Sequence, residues 1–133
     1  MPGCGANLHA RLPARPDSIA RLRRAVVDFA EGNGVSARQR EDIALAVSEA
    51  VSNAVLHAYA GRDGPGDVAV EAWAADGALE VVVCDDGVGL RPRAHGSEMR
   101  LGLALIGQLA SRLALETAGP LPGLRVRMTF AID

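Results

Sequence analysis

The most regular pattern of apolar and polar positions lies in residues 40–59 of this 133-residue chain. Apolar side chains recur every four residues there, at Ile43, Val47, Val51 and Val55. Small side chains accompany them, at Ala50, Ala54 and Ala58. This spacing predicts one long helix whose apolar face packs into a core. Glu49, Asn53 and His57 also recur every four residues, so we expect a carboxylate, an amide and an imidazole in one row along the helix.

Other patterns predict elements before this central helix. Weak alternation in residues 7–12 predicts an edge strand. A helical period that begins near Pro16 and is broken at Gly32 predicts a first helix. Ser36, with Gln39 three residues later, has the form of a capping box. The central helix is therefore expected to begin at this point and to end near Ala60.

The second half of the chain is predicted to consist mainly of strands. Alternation in residues 67–73 and the apolar run of residues 78–85 flank Asp76-Gly77, a dipeptide typical of a hairpin turn. Residues 101–113 are apolar or small and predict a third helix. Residues 113–118 and 124–132 alternate again on either side of a glycine- and proline-rich connection. A second hairpin is therefore expected at the end of the chain.

This order of elements predicts an α+β fold, a two-layer sandwich. Its sheet is expected to be five-stranded, mixed and mostly antiparallel, with three helices on one face. The exposed face of such a sheet suits a homodimer or another partner. The length suits a single domain over residues 1–133, and 49% hydrophobic but only 3% aromatic residues imply a core of Ala, Val and Leu.

Charge and cysteine content narrow the functional classes. The formal net charge is −2 and every basic residue is arginine, which argues against a general nucleic-acid binder. Cys4 and Cys84 lie in unrelated contexts and form no metal-binding motif, so neither a disulfide framework nor a zinc site is expected. No run is apolar enough to span a membrane, and the N-terminus does not resemble a signal peptide. A soluble, cytoplasmic protein is expected.

The central helix offers the first set of chemically useful side chains. The Asn53 amide oxygen suits Mg²⁺, which prefers oxygen ligands and retains most of its waters. Glu49, one turn away, is placed to accept a proton from an attacking hydroxyl. Both residues could instead be ordinary surface residues of a helix. For His57, a packing or hydrogen-bonding role is favoured over a catalytic one.

Two later segments add a possible nucleotide site. Asp85 ends an apolar strand, where its carboxylate could accept a hydrogen bond from the adenine amine. Gly87 and Gly89 follow and would let a flat ring approach the backbone, although Asp-Gly is also a common turn. Residues 100–105 are predicted to open the third helix, where free backbone N–H groups favour a phosphate. Gly102 would give that phosphate room.

The three segments occur in the order EAVSNAVLHAY, DDGVG and RLGLALI. Together they resemble the ATP-binding (Bergerat) fold shared by gyrase, heat-shock chaperone, histidine kinase and mismatch-repair ATPases. The most similar branch is the family of serine-protein kinase anti-sigma factors of bacterial partner-switching systems. Histidine kinases fit less well, because their phosphoacceptor histidine lies on a separate pair of helices, for which this chain has no room.

The resemblance implies a role for each candidate residue, with ATP and Mg²⁺ as cofactors. Glu49 would be the catalytic base, Asn53 the magnesium ligand and Asp85 the residue that binds adenine. The adenine pocket would be lined by Gly87 and Gly89. The phosphates would lie over Gly102 and Leu103.

The chain departs from the family in the segment before Gly102, the lid over the phosphates. Members commonly carry a further glycine there, where this chain has Met99-Arg100-Leu101. Because the chain has no lysine, Arg100 is expected to neutralise the γ-phosphate, with Arg91 or Arg93 as alternatives.

The resemblance implies a kinase that phosphorylates a serine or threonine of a STAS-type anti-sigma antagonist and sequesters a sigma factor. Two alternatives remain open. One is a non-catalytic regulatory module that binds ATP and its partner without phosphotransfer. The other is a protein-interaction domain that binds no nucleotide and in which Asp85 forms part of a turn.

Overall fold

An antiparallel sheet with helices on one face forms the fold in the computed structural model, which describes residues 7–58, 66–85, 96–117 and 123–132. In chain order the elements are β1 (Leu8–Pro13), α1 (Pro16–Gly32), α2 (Ala37–Asn53), a π-helical turn (Ala54–Ala58), β2 (Asp67–Ala75), β3 (Ala78–Asp85), α3 (Gly96–Leu109), β4 (Arg112–Thr117) and β5 (Leu124–Ala131). In the described part of the chain, no helix is both long and apolar enough to cross a membrane.

The sheet has the strand order β1-β2-β3-β5-β4, and each of its four described pairings is antiparallel. The predicted α+β sandwich of five strands and three α-helices is therefore confirmed, with a wholly antiparallel sheet over the described pairings. The turn at Asp76-Gly77 is also confirmed. Both residues have a positive φ, of 53° and 76°, as a tight hairpin turn requires. The single-domain boundary at residues 1–133 stays a prediction.

The core lies between the helices and one face of the sheet. Alternate residues of β2 and β5 are buried beneath the helices, for example Val70 and Met128, which are fully buried. On α2, Ile43, Val47 and Val51 are also fully buried. The apolar face that the four-residue period predicted is therefore confirmed.

The start of α2 is fixed by a cap and by a contact with the sheet. The Gln39 backbone N–H donates to the Ser36 Oγ over 3.2 Å, which confirms Ser36 as the N-cap. The Gln39 side-chain amide also donates to the carbonyl oxygen of Ala131. Because Ala131 ends β5, this contact holds the beginning of α2 at the corresponding end of the sheet.

The helix that carries Glu49, Asn53 and His57 changes type after Asn53. Regular α-helix ends at Asn53, and residues 54–58 form a π-helical turn. Since π-helical hydrogen bonds join residues five apart, such a turn holds more residues than an α-helical one. Glu49 and Asn53 therefore keep the α-helical relation that the spacing predicted, and the place of His57 in the row stays a prediction.

The third helix begins and ends earlier than the sequence predicted. It occupies Gly96–Leu109 instead of residues 101–113. The Ser111 N–H donates to the Thr129 carbonyl oxygen over 2.7 Å, so the chain has already joined the sheet there. Gly102 therefore lies in the second turn of α3, where backbone N–H groups bond within the helix. The expectation that Gly102 lies at a helix start with free N–H groups is wrong.

The helix directions bring three chain segments to one end of the sheet. Asp85, which ends β3, pairs with Val68 and Leu124 at that end. At the opposite end, contacts with β5 hold the beginning of α2 and the segment just after α3. The 17 residues of α2 extend about 25 Å, close to the length of the strands beneath it. The end of α2 and the beginning of α3 therefore lie at the Asp85 end.

Candidate functional site

The final α-helical turn of α2 carries the carboxylate and amide on which the sequence prediction centred. Glu49 and Asn53 are one turn apart and both are half-buried. The residues between them on the core side, Ala50 and Val51, are buried. This packing fixes the α2 backbone at the site and leaves the two polar groups at the margin of the core.

Gly102 of α3 lies directly against this pair. A Cβ placed at Gly102 would be 3.0 Å from Nδ2 and 3.3 Å from Oδ1 of Asn53. The same Cβ would be 3.2 Å from Oε2 of Glu49. The fold thus brings together three candidate residues that the chain separates by about fifty positions. Leu103, the next candidate, is partly buried and packs against the main core.

Asp85 completes the described part of the candidate site. It ends β3 on the helix-facing side of the sheet and is half-buried. Its partners in the neighbouring strands are apolar and buried, Val68 at 0% and Leu124 at 7% exposure. Its carboxylate is therefore partly shielded from water, at the same end of the molecule as Asn53.

Several candidates cannot be placed by side chain. Gly87 and Gly89, predicted to line the adenine pocket, lie outside the described residues, as do Arg91 and Arg93. Arg100 lies within α3 and His57 lies within the π-helical turn, but the side chains of both are outside the described part. Their assigned roles stay predictions.

The donor set around Asn53 suits magnesium better than a metal held by protein alone. Within the described residues, no group of three or more His, Cys, Asp or Glu side chains could hold a metal ion. Mg²⁺ in nucleotide sites takes one or two protein oxygens and completes its shell with phosphate and water. A single amide oxygen at the end of α2 fits that mode of binding.

One contact beside the site could not be predicted from the sequence. The Arg23 Nη1 of α1 donates to the Oγ of Ser48 over 3.3 Å, next to Glu49 in the chain. This bond joins the two helices at the level of the candidate carboxylate. The residues are 25 positions apart, and no spacing rule connects residues of different helices.

The other titratable group of note lies on the opposite face of the sheet. Cys84 is a free, half-buried thiol beside Asp85 in the chain, and burial raises its pKa. A raised pKa keeps the thiol protonated and unreactive near neutral pH. This environment therefore makes Cys84 a poor nucleophile near neutral pH.

Comparison with known proteins agrees with this geometry. A family model described as the histidine kinase-like ATPase domain matches residues 12–130. The chain belongs to this family. The match spans every described element from the end of β1 to β5, including Glu49, Asn53, Asp85 and Gly102. A histidine kinase-like ATPase domain implies the use of ATP.

Curated relatives of this histidine kinase-like ATPase domain carry the name serine-protein kinase RsbW. The protein from Bacillus pumilus is 38% identical over 81 residues, covering 60% of this chain and 50% of the relative. The Bacillus subtilis protein is 35% identical over 80 residues, covering 60% and 49%. The matches therefore span about half the length of these relatives.

Solved structures show the same fold. The RsbU and RsbW domains of a Mycobacterium tuberculosis protein match with a TM-score of 0.75 and 26% identity, covering 96% of this chain and 32% of that one. A histidine kinase domain from an Erythrobacter litoralis blue-light activated histidine kinase matches with a TM-score of 0.60 and 24% identity, covering 91% and 62%. The second likeness concerns the fold alone.

Proposed function

We propose that this chain is an ATP-dependent protein serine/threonine kinase that acts as an anti-sigma factor. The observation that carries the proposal is the contact of Gly102 with Glu49 and Asn53, at the end of the sheet where Asp85 terminates β3. Phosphoryl transfer from ATP uses a base or orienting residue and a metal ligand, and a carboxylate suits the adenine amine. Membership of an ATPase family and the names of the relatives support this assignment.

In the proposed mechanism, Asp85 accepts a hydrogen bond from the adenine amine and orients the nucleotide. The Asn53 amide oxygen would hold Mg²⁺, which when bound supplies positive charge to the phosphate oxygens. The Glu49 carboxylate orients the incoming serine or threonine hydroxyl and takes its proton. The hydroxyl oxygen forms a bond to the γ-phosphorus as the bond from that phosphorus to the β–γ bridging oxygen breaks, and ADP leaves.

The proposed partners are a STAS-type anti-sigma antagonist, as phosphoryl acceptor, and a sigma factor, as the sequestered protein. Phosphorylation would release the antagonist and leave this protein free to hold the sigma factor. A homodimer is part of the same proposal. These partners follow from the family resemblance and from relatives named serine-protein kinase, of which the matches cover about half.

Substitution of Glu49 tests the proposed reaction. Glu49→Gln keeps the size of the side chain beside Gly102 but cannot take a proton. We expect label transfer from γ-labelled ATP to a serine of a STAS-type antagonist to fall about 10²–10⁴-fold. The affinity for ADP, measured by calorimetry, should stay within about twofold, because a half-buried amide replaces the carboxylate without a new clash.

Glu41→Gln is the matched control, since Glu41 is exposed on the same helix, two turns earlier. It should transfer label at the wild-type rate. Full transfer by Glu49→Gln would refute the assigned role of Glu49. A wild-type protein that binds ADP but transfers no label to the antagonist would refute the kinase assignment itself.

The segment before Gly102 favours a second candidate function. The family resemblance implies that a further glycine is common there, but this chain has Met99-Arg100-Leu101 within a helix that already begins at Gly96. A lid of this kind suits a module that binds ATP and its partner without phosphotransfer. In the same assay such a module would bind the antagonist in an ATP-dependent manner and move no label.

A further inference from the structure

The two glycines of α3 with described surroundings face different environments. A Cβ at Gly102 would meet the polar ends of Glu49 and Asn53 at 3.0–3.3 Å. A Cβ at Gly107 would meet only Cδ2 of Leu113, at 3.9 Å, an ordinary van der Waals distance. A methyl group at Gly102 would therefore displace the ends of the two side chains opposite by a few tenths of an ångström, whereas a methyl group at Gly107 would displace nothing.

We propose that Gly102 is a positioning residue, which holds the Glu49 carboxylate and the Asn53 amide in their working orientation by letting α3 lie directly against them. This inference rests on the proposed function, because it assigns Gly102 to the same site. It differs from the role expected from sequence, in which Gly102 makes room for a phosphate. Here the room at Gly102 is taken by protein side chains before any nucleotide arrives.

Steric distances explain why the contact orients both groups. At 3.0 Å and 3.2 Å from the two side chains, a methyl group is closer than real Cβ atoms normally approach other atoms. Either the polar ends must shift by a few tenths of an ångström or more, or α3 must move away from α2. Neither helix can move away easily, since Ala50 and Val51 of α2 and Ile106 of α3 are buried in the core. The side chains of Glu49 and Asn53 must therefore adjust.

Such an adjustment affects catalysis more than nucleotide binding. Phosphoryl transfer depends on the placement of the base and the metal ligand, and a displacement of about 1 Å can cost about 100-fold in rate. Adenine binding is assigned to Asp85, which lies on β3 and not on either helix of this contact. Because the expected displacement is a few tenths of an ångström, we expect Gly102→Ala to lower kcat about 3- to 10-fold, to leave the KM for ATP within about twofold, and to raise the Mg²⁺ concentration needed for half-maximal rate.

Gly107→Ala is the matched control. Both substitutions place alanine, the best helix former, inside the same helix, so both gain helix propensity. Gly107→Ala should raise the unfolding temperature and leave kcat unchanged. Gly102→Ala should fail to raise the unfolding temperature, because the new methyl group pushes against Asn53 and Glu49.

A spectroscopic readout separates the positioning role from a general loss of activity. The side-chain amide N–H signals of Asn53, identified as those that disappear in Asn53→Ala, are recorded by NMR in the nucleotide-free protein. They should shift in Gly102→Ala and stay in place in Gly107→Ala. Unshifted Asn53 signals in Gly102→Ala would overturn the inference. A Gly102→Ala protein with normal kcat and weaker binding of ADP as its only defect would also overturn it. That result is expected if Gly102 only makes room for a phosphate.

The NMR comparison also keeps the two proposals distinguishable. A wild-type protein that transfers no phosphate refutes the kinase assignment, whereas the Asn53 signals still decide the contact with Gly102. If Gly102→Ala does not fold, the double variant Gly102→Ala/Asn53→Ala removes the closest opposing atom, Nδ2 of Asn53, together with its Oδ1, and should recover folding. A double variant that also fails to fold, while Asn53→Ala folds, would overturn the inference.

Discussion

Asp85 offers the sharpest test of how the proposed site recognises its nucleotide. In Asp85→Asn the side chain keeps its shape at the end of β3 but loses its negative charge. The carboxylate is half-buried, and its neighbours across the sheet, Val68 and Leu124, are buried and apolar. Water therefore competes only partly for the hydrogen bond that Asp85 is proposed to accept from adenine.

This environment sets the expected magnitude. A hydrogen bond to a charged group contributes about 1.5–3 kcal/mol. Since about 1.4 kcal/mol corresponds to a tenfold change in affinity, complete loss of the charge effect would weaken ATP binding about 10- to 150-fold. The partial exposure of Asp85 favours the lower part of that range, and we expect a loss of about 10- to 30-fold in the Kd of ATP or ADP measured by calorimetry.

Nucleotide preference gives a second measurement on the same variant. Guanine presents a carbonyl oxygen where adenine presents its amine, so a carboxylate at Asp85 disfavours GTP through two facing acceptors. The asparagine amide can donate to that oxygen. We therefore expect the ATP-over-GTP preference to fall in Asp85→Asn, through weaker ATP binding and stronger GTP binding.

Asp76→Asn is the control for this experiment. Asp76 is exposed in the β2–β3 turn at the other end of β3, and its φ of 53° is also tolerated by asparagine. It should bind both nucleotides as the wild type does. Unchanged ATP affinity and unchanged preference in a folded Asp85→Asn protein would refute the assignment of Asp85 to adenine.

Two further predictions concern the fold that supports the site. Ile43→Ala, at a fully buried position of α2, should lower the free energy of unfolding in urea by about 2–5 kcal/mol. Leu45→Ala, at a position 45% exposed on the same helix, should lower it by at most about 0.5 kcal/mol, and equal losses would contradict the core assignment. Cys84 in a Cys4→Ser background should be alkylated more slowly in the folded than in the urea-unfolded protein, and equal rates would contradict its burial. Burial raises the pKa of Cys84 in the folded state, so above the ordinary thiol pKa the unfolded protein ionises first and the free energy of unfolding falls. Cys84→Ser should remove this part of the pH dependence.

Elements with one clear period and one clear stop signal could be predicted from the sequence. The buried face of α2 followed from Ile43 and its repeats, because one helical face must be apolar to pack on a sheet. The β2–β3 hairpin followed from Asp76-Gly77, since few residue pairs adopt the two positive φ angles of such a turn. In both cases local sequence and tertiary packing favour the same structure.

The boundaries of α3 could not be predicted in the same way. Residues 101–115 are almost all apolar or small, so they fit a buried helix and a buried strand equally well. Pairing of β4 with β5, from Arg112 opposite Thr129 onward, decides where the helix must end. The contact of Gly102 with Glu49 was equally beyond local reasoning, because it depends on how α3 packs against α2.

The change of helix type after Asn53 shows which groups of α2 the fold holds most firmly. Regular α-helix ends at Asn53, and residues 54–58 form a π-helical turn in which Leu56 is 58% exposed while Ala54 stays buried. Glu49 and Asn53 both precede this turn, on the part of α2 that packs on the core through Ala50 and Val51. Most of the catalysis in phosphoryl transfer comes from positioning and charge neutralisation, so a firmly held base and metal ligand suit the proposed chemistry. The proposed mechanism assigns no step to His57, and its packing or hydrogen-bonding role stays a prediction.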